Sequence, residues 1–115
     1  KLMAGAGKSA DGVVVGAAWN SASSGPENEA FLTAYRAKYS ADPDQFAAQA
    51  YTGLKLVDAA VRAGCSGERD VIKKHLGELK DVPTALGKFT MTATRDADTP
   101  AVVQVVESGK FAVLK

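Results

Sequence analysis

The sequence predicts an α/β fold, and three observations carry the prediction. Gly12 to Ala17 reads GVVVGA, a β-branched run bounded by glycine, as in a buried strand. Three stretches with helical periodicity and helix-end signals lie between Pro26 and Lys80. Two short apolar runs, Ala101 to Val106 and Phe111 to Leu114, flank Glu107-Ser108-Gly109-Lys110, the pattern of a hairpin. The expected order is strand, three helices, strand, terminal β-hairpin.

Taken in order, Lys1-Leu2-Met3-Ala4-Gly5 offers neither an initiator methionine nor a secretion signal, so the chain is expected to be an interior or terminal piece of something longer. Gly5-Ala6-Gly7-Lys8-Ser9 is expected to be a polar connector, with Asp11-Gly12 leading into the first strand. Asn20-Ser21-Ala22-Ser23-Ser24-Gly25 is a loop. Pro26 suits a first helical position, with Glu27 and Glu29 in the first turn and Arg36 and Lys38 in the last, charges that complement the helix dipole. Phe31, Tyr35 and Tyr39 recur at four-residue spacing with Leu32 beside them, giving one apolar stripe. Asp42 and Pro43 are expected to cap and begin a second helix that runs to about Ala63, where Gly64 stops it. Its first half, Phe46 to Leu54, is apolar or small nearly all round, which predicts packing on more than one side. Ser66 is expected to cap a third helix through Val71, Ile72, Leu76 and Leu79, broken by Asp81-Val82-Pro83. Phe89 to Thr92 reads as a short strand and Ala93 to Pro100 as a mostly polar loop.

Two things follow for the sheet. A lone strand followed by three helices has no parallel neighbour in this order, and a terminal hairpin by itself is marginal in water. The strands are therefore expected to be completed by residues outside this chain, by another copy, or by exchange of the hairpin in a swapped oligomer or homodimer.

Composition removes several function classes. The 115 residues are 46% hydrophobic and 23% charged, ordinary values for a globular domain. A net charge of +1 gives no basic surplus with which to neutralise phosphates, so no nucleic-acid partner is expected. No apolar run approaches the roughly 20 residues of a membrane helix. The single cysteine, Cys65, has no internal partner and sits in a Gly64-Cys65-Ser66-Gly67 turn. The single histidine, His75, lies among lysines, where it reads as a surface residue rather than a base for that thiol.

The residues that resemble chemical motifs do not complete them. Gly5-Ala6-Gly7-Lys8-Ser9 ends like a phosphate-binding loop, but Leu2 stands where the earlier glycine belongs and a strand, not a helix, follows. Asp96 and Asp98 alternate as in a calcium loop, without the glycine and later glutamate such a loop needs. No metal site, no cofactor and no catalytic residue is expected; the chain reads as a non-enzyme. Trp19 is the most informative single residue, since it stands just past the first strand, and ligands in open α/β sheets gather outside the carboxyl ends of strands. Phe46, Gln49 and Ala50 open the second helix, whose free N–H groups favour a carboxylate. The candidate ligand-binding residues are Trp19, Asn20, Phe46 and Gln49.

In their order and spacing these segments resemble the last third of the type I periplasmic solute-binding proteins, in the leucine/isoleucine/valine-binding branch. Ala10-Asp11-Gly12-Val13 is similar to that family's "A-x-G-V" strand. Phe31, Tyr35, Tyr39 and Pro43 resemble its "F…Y…Y…P" helix and break. Ala47 to Gly53 sits where the family has "A-x-x-A-Y-D-A", with Thr52-Gly53 in place of the Asp-Ala. Leu56 to Gly64 resembles its "L-x-x-A-x-x-x-A-G" helix, Gly87-Lys88-Phe89 a shortened "G-x-x-x-F", and Val103-Gln104-Val105 with Gly109 and Phe111 the closing hairpin. The family's "F-D-x-x-G" turn is absent after Phe89.

The resemblance implies the C-terminal part of a two-lobed protein: a hinge-leading strand at 12–18, first-lobe helices at 26–80 and final strands at 86–115. It also implies a substrate-binding component of an ABC transporter. Such a component lies in the periplasm, closes its lobes on an amino acid or on a small aliphatic or aromatic carboxylate, and delivers it to a membrane permease. A ligand-sensing regulatory domain of the same fold is the alternative. The main ligand anchors would come from upstream segments, leaving the Trp19-Asn20 region and the start of the second helix as this chain's share of the cleft wall.

Overall fold

The computed structural model describes residues 2–114. A short helix α1 (Leu2–Ala6) and a 3-10 turn (Gly7–Ala10) lead into β1 (Val14–Ala17). Three longer helices follow, α2 (Pro26–Tyr39), α3 (Gln45–Gly64) and α4 (Arg69–Gly77). The remainder is strand: β2 (Val82–Thr84), β3 (Gly87–Met91), β4 (Ala97–Asp98), β5 (Val102–Glu107) and β6 (Lys110–Val113). The segment expected as a polar connector is thus helical, and of the expected helix break at Asp81-Val82-Pro83 the last two residues begin a strand. Pro83 is tolerated because β2 is an edge strand.

The strands form two separate antiparallel sheets, ordered β1-β5-β6 and β2-β3-β4. The first corrects the expectation that β1 lacks a partner. Val14 pairs with Val105 and Ala17 with Val102, so β1 reaches across the chain to the terminal hairpin. The ladder continues past the strand, with the Gly12 amide donating to the Val106 carbonyl and the Val106 amide to the Val13 carbonyl. The hairpin turn has Ser108 at φ 51° and Gly109 at φ 74°, a two-residue loop with both centres left-handed, whose twist suits the flanking strands.

These sheets belong to two bodies. In the helical body, Trp19, Phe31, Leu32, Ala48 and Ala85 form one buried cluster, and Leu56, Leu79 and Phe89 form another. The β2-β3-β4 meander therefore packs with α2, α3 and α4, and the segment expected as final strands divides between the bodies. Phe31 is the aromatic hub, with ring centroids 4.9 Å from Tyr51, 5.7 Å from Tyr35 and 6.0 Å, edge-on, from Trp19. Tyr39, expected on the same stripe, is exposed and stacks only on Tyr35, at 4.6 Å. The molecule is correspondingly long, 51 × 33 × 23 Å, with a radius of gyration of 16.3 Å. A compact chain near this length has about 13 Å.

The helix ends differ from expectation in a physically simple way. Asp44, not Asp42, caps α3, its carboxylate accepting from the Ala47 amide at 2.9 Å. Asp42 is engaged by Arg36 at 2.7 Å instead. At the other end the left-handed residue is Cys65, at φ 47°, while Gly64 stays helical. What demands glycine there is close packing: a Cβ on Gly64 would lie 2.5 Å from Val71 Cγ1 and 2.8 Å from His75 Cδ2. His75 is accordingly half-buried rather than at the surface, its Nδ1 3.2 Å from Glu78.

Helix α3 buries Ala48, Thr52, Leu56 and Ala60, a single four-residue stripe. Its opposite side, expected to be packed as well, is open: Phe46 is 69% and Leu54 72% exposed, with Val57 between them and the next turn. Among the described residues nothing covers it. One face of the β1-β5-β6 sheet is likewise uncovered, with Val14, Val103 and Leu114 all exposed. The β1 run is half-exposed, not fully buried as its composition suggested.

Candidate functional site

The chain passes between the two bodies twice, once through Ala18–Gly25 after β1 and once through Thr99–Ala101 before β5. Both crossings meet at one hollow of about 390 Å³, lined by Gly16, Ala17 and Ala18, by Thr99–Ala101, and by Gln45 from the first turn of α3. The carboxyl end of a strand, a helix N-terminus and the connection between two bodies converge there.

The first crossing is pinned to both bodies by buried amides. The Trp19 Nε1 donates to Asn28 Oδ1 of α2 at 2.7 Å, and both side chains are buried. Asn28 Nδ2 in turn donates to the Ser23 carbonyl at 2.7 Å. On the other side Asn20 Nδ2 donates to Gln104 Oε1 of β5 at 2.7 Å, and its Oδ1 accepts from the Ala22 amide at 2.8 Å. Asn20, Asn28 and Gln104 are each less than a tenth exposed, and their bonds to one another, to the Trp19 indole and to the backbone offset the cost of burying them.

The four candidate residues therefore fall into two pairs. Trp19 and Asn20 sit in the core and hold the crossing in place. Trp19 also borders a second, larger hollow of about 780 Å³ between the crossing, the β2–β3 turn and the β5-β6 strands. Phe46 and Gln49 lie exposed on the first turns of α3. The residue of α3 that lines the first hollow is Gln45, which no reading of the sequence singled out. Its position follows from the Asp44 cap: Gln45 is then the first helical residue and Gln49 lies one turn behind it on the same face. Placing the cap at Asp42 hides that relation. Asp44 itself satisfies one of the first amides of the helix, and the Ala48 amide bonds the Asp44 carbonyl.

The wall of this site contains no titratable pair. The groups whose acidity is displaced lie elsewhere, on the exposed side of α3. There the Arg62 guanidinium, 2.9 Å from Asp58, holds that carboxyl below its ordinary range, and the carboxylate raises the guanidinium in return.

Comparison with known proteins gives the arrangement its context. A family model described as periplasmic binding protein matches residues 1–110. Among solved structures, a leucine-binding protein from Thermotoga maritima superposes with a TM-score of 0.88 at 22% identity, over 99% of this chain and 33% of its own. A solute-binding protein of an ABC transporter from R. palustris, in complex with benzoate, gives 0.84 at 25% identity, over 98% and 32%. The branched-chain amino acid transporter substrate-binding protein of Streptococcus pneumoniae, in complex with isoleucine, gives 0.79 at 27% identity, over 93% and 31%. A search of curated proteins returns no match. The chain spans about a third of the length of these solved structures.

Proposed function

The chain belongs to the periplasmic binding protein family, and from that premise we propose that it is the C-terminal third of an extracytoplasmic solute-binding protein feeding an ABC transporter. The observation that carries this reading is the convergence of both crossings and the start of α3 on one hollow. A pocket built at a crossing between bodies changes shape when the bodies rotate, so a ligand that contacts both favours the closed arrangement over the open one.

In this reading the uncovered stripe of α3 and the uncovered face of the β1-β5-β6 sheet are packing surfaces for the remaining two thirds of the polypeptide, which complete both lobes. Trp19 and Asn20 act as positioning residues of the hinge. Gln45 and Gln49 offer amides, and Phe46 an apolar wall, to a ligand whose principal anchors lie upstream. Its class is an aliphatic amino acid or a small carboxylate, the chemistry of the similar proteins, one a leucine-binding protein and two in complex with isoleucine and benzoate. The protein works in the periplasm and hands its ligand to a membrane permease.

The test is ligand-induced thermal stabilisation of the full polypeptide, with leucine, isoleucine, valine and benzoate as probes. A ligand at a hundredfold excess over its Kd stabilises by about 2.7 kcal/mol. Gln45→Ala and Phe46→Ala should shrink that ligand-dependent shift, each measured against the variant's own ligand-free Tm. If no ligand of this class raises the Tm, the reading fails. If one does but both variants respond like the parent, this chain's share of the cleft wall is wrongly assigned.

A further inference from the structure

The two bodies share little besides the chain that joins them. Both buried apolar clusters lie wholly within the helical body. So do the ion pairs of the described residues. The backbone bonds of turns and loops each stay inside one body or the other. One bond stands apart: Asn20 Nδ2 donates to Gln104 Oε1 at 2.7 Å. Among the described residues it is the only hydrogen bond that ties the first crossing to the β1-β5-β6 sheet. The rest of that crossing is held to α2, where Asn28 accepts from Trp19 Nε1 and donates to the Ser23 carbonyl, each at 2.7 Å. Asn20 is thus the one side chain of the segment bonded to the opposite body.

Gln104 is unusual in its own strand. Alternation along β5 puts it on the same side as Val102 and Val106, the more buried side of the strand. An apolar residue at this position would be buried without needing a partner, whereas a buried amide costs free energy unless it is bonded. Among the described residues Gln104 is the only buried polar side chain of the β1-β5-β6 sheet, and it bonds Asn20. Both partners are less than a tenth exposed, so water competes little for the bond.

We infer that the Asn20–Gln104 bond is an interbody latch, which holds the sheet against the crossing so that Gly16–Ala18 and Thr99–Ala101 stay assembled around Gln45. Asn20 and Gln104 are positioning residues: they act on ligand affinity through the arrangement of the bodies, without touching the ligand. Without the bond the bodies sample other orientations, and the apparent affinity falls with the fraction that remains assembled. The inference deepens the proposed function and rests on it for the effect on affinity, while the effect on body orientation stands without any ligand.

The experiment reads the distance between the bodies in the ligand-free full polypeptide by pulsed electron resonance. Nitroxides are placed on Cys65 of the helical body and, through Lys110→Cys, on β6 of the sheet, both exposed positions. Gln104→Leu should broaden the distance distribution relative to the parent. Because it leaves the Asn20 amide buried and unpaired, Asn20→Leu/Gln104→Leu accompanies it, with both partners made apolar. Thr84→Val breaks a buried bond of 2.7 Å inside the helical body and should leave the distribution as in the parent. With leucine, isoleucine, valine and benzoate as probes, both latch variants should bind about five- to tenfold more weakly, by one factor for every probe that binds the parent. An unchanged distribution in both latch variants, equal broadening by Thr84→Val, an affinity that stays or rises, or a loss that differs between probes would each overturn the latch. If no probe binds the parent, the proposed function fails and the distance distribution alone decides the latch.

Discussion

Gly64 is the position where a single added methyl group should do most damage. It is the last residue of α3, and its backbone is ordinary helix, so no conformational argument reserves the site for glycine. Space does. A Cβ would sit 2.5 Å from Val71 Cγ1, 2.8 Å from His75 Cδ2 and 3.2 Å from His75 Nε2. Neither neighbour yields easily: Val71 is β-branched and stiff at χ1, and the His75 ring is held through Nδ1 by Glu78 at 3.2 Å. Overpacking of this kind costs about 1–3 kcal/mol, offset by at most about 1 kcal/mol from replacing glycine with alanine in a helix, and less at its end. Gly64→Ala should therefore destabilise by about 1–2 kcal/mol, lowering Tm by about 4–8 °C per kcal/mol in a domain near this size. Urea unfolding of Gly64→Ala, Val71→Ala and the double variant completes the cycle. Val71→Ala removes the nearest obstructing atom, so the double variant should be more stable than the two single effects add to, with a coupling of about 1 kcal/mol. A neutral or stabilising Gly64→Ala would refute the claim that α3 and α4 meet at van der Waals distance here.

Three further perturbations test other parts of the account. Thr52 is buried in α3 with its hydroxyl unpartnered; Thr52→Val should stabilise by about 1 kcal/mol in denaturant unfolding, and a loss of stability would mean that the hydroxyl has a partner. Cys65 is exposed and left-handed at φ 47°, so Cys65→Gly should raise the unfolding midpoint by about 1 kcal/mol equivalent, whereas a lower midpoint would mean the side chain matters more than its backbone. Asp58 ionises more readily than an ordinary aspartate because Arg62 donates to it. Its contribution to stability is thus present above the unfolded pKa and lost as pH falls through the lower folded one. Carboxyl NMR titration should find the Asp58 midpoint restored upward in Arg62→Gln, and an unchanged midpoint would remove Arg62 as the cause.

Much of the helical body was legible in the sequence because its signals are local. Pro26 with Glu27 and Glu29 starts α2, and the charged last turn ends it, where the structure has Pro26–Tyr39. The turn at Ser108-Gly109 is equally local, since two small polar residues flanked by apolar runs have few alternatives. The pairing of β1 with β5 was not legible, because a register that joins residue 14 to residue 105 depends on the path of everything between. The roles of Asn20, Asn28 and Gln104 escaped for the same reason. An asparagine in a polar loop looks like any other until its partner arrives from 84 residues away. Gln45 was missed by two residues of helix start, the shift between an Asp42 cap and an Asp44 cap.

The two crossings differ in a way that bears on how the bodies could move. The first carries Trp19 bonded to α2 and Asn20 bonded to β5, each through a buried neutral amide at 2.7 Å. Neutral amides fix geometry without the desolvation cost of buried charge, and each anchor would leave an unpaired buried group behind if it broke, at about 1–3 kcal/mol. The second crossing, Thr99–Ala101, carries no such side-chain anchor among the described residues, and both Pro100 and Ala101 are exposed. Rotation of one body against the other would thus pivot on the amides of the first crossing and be absorbed by torsions in the second. Trp19 is therefore the more tightly held of the residues near the crossings, while the hollow shared by Ala18, Thr99–Ala101 and Gln45 is bordered by segments without such anchors.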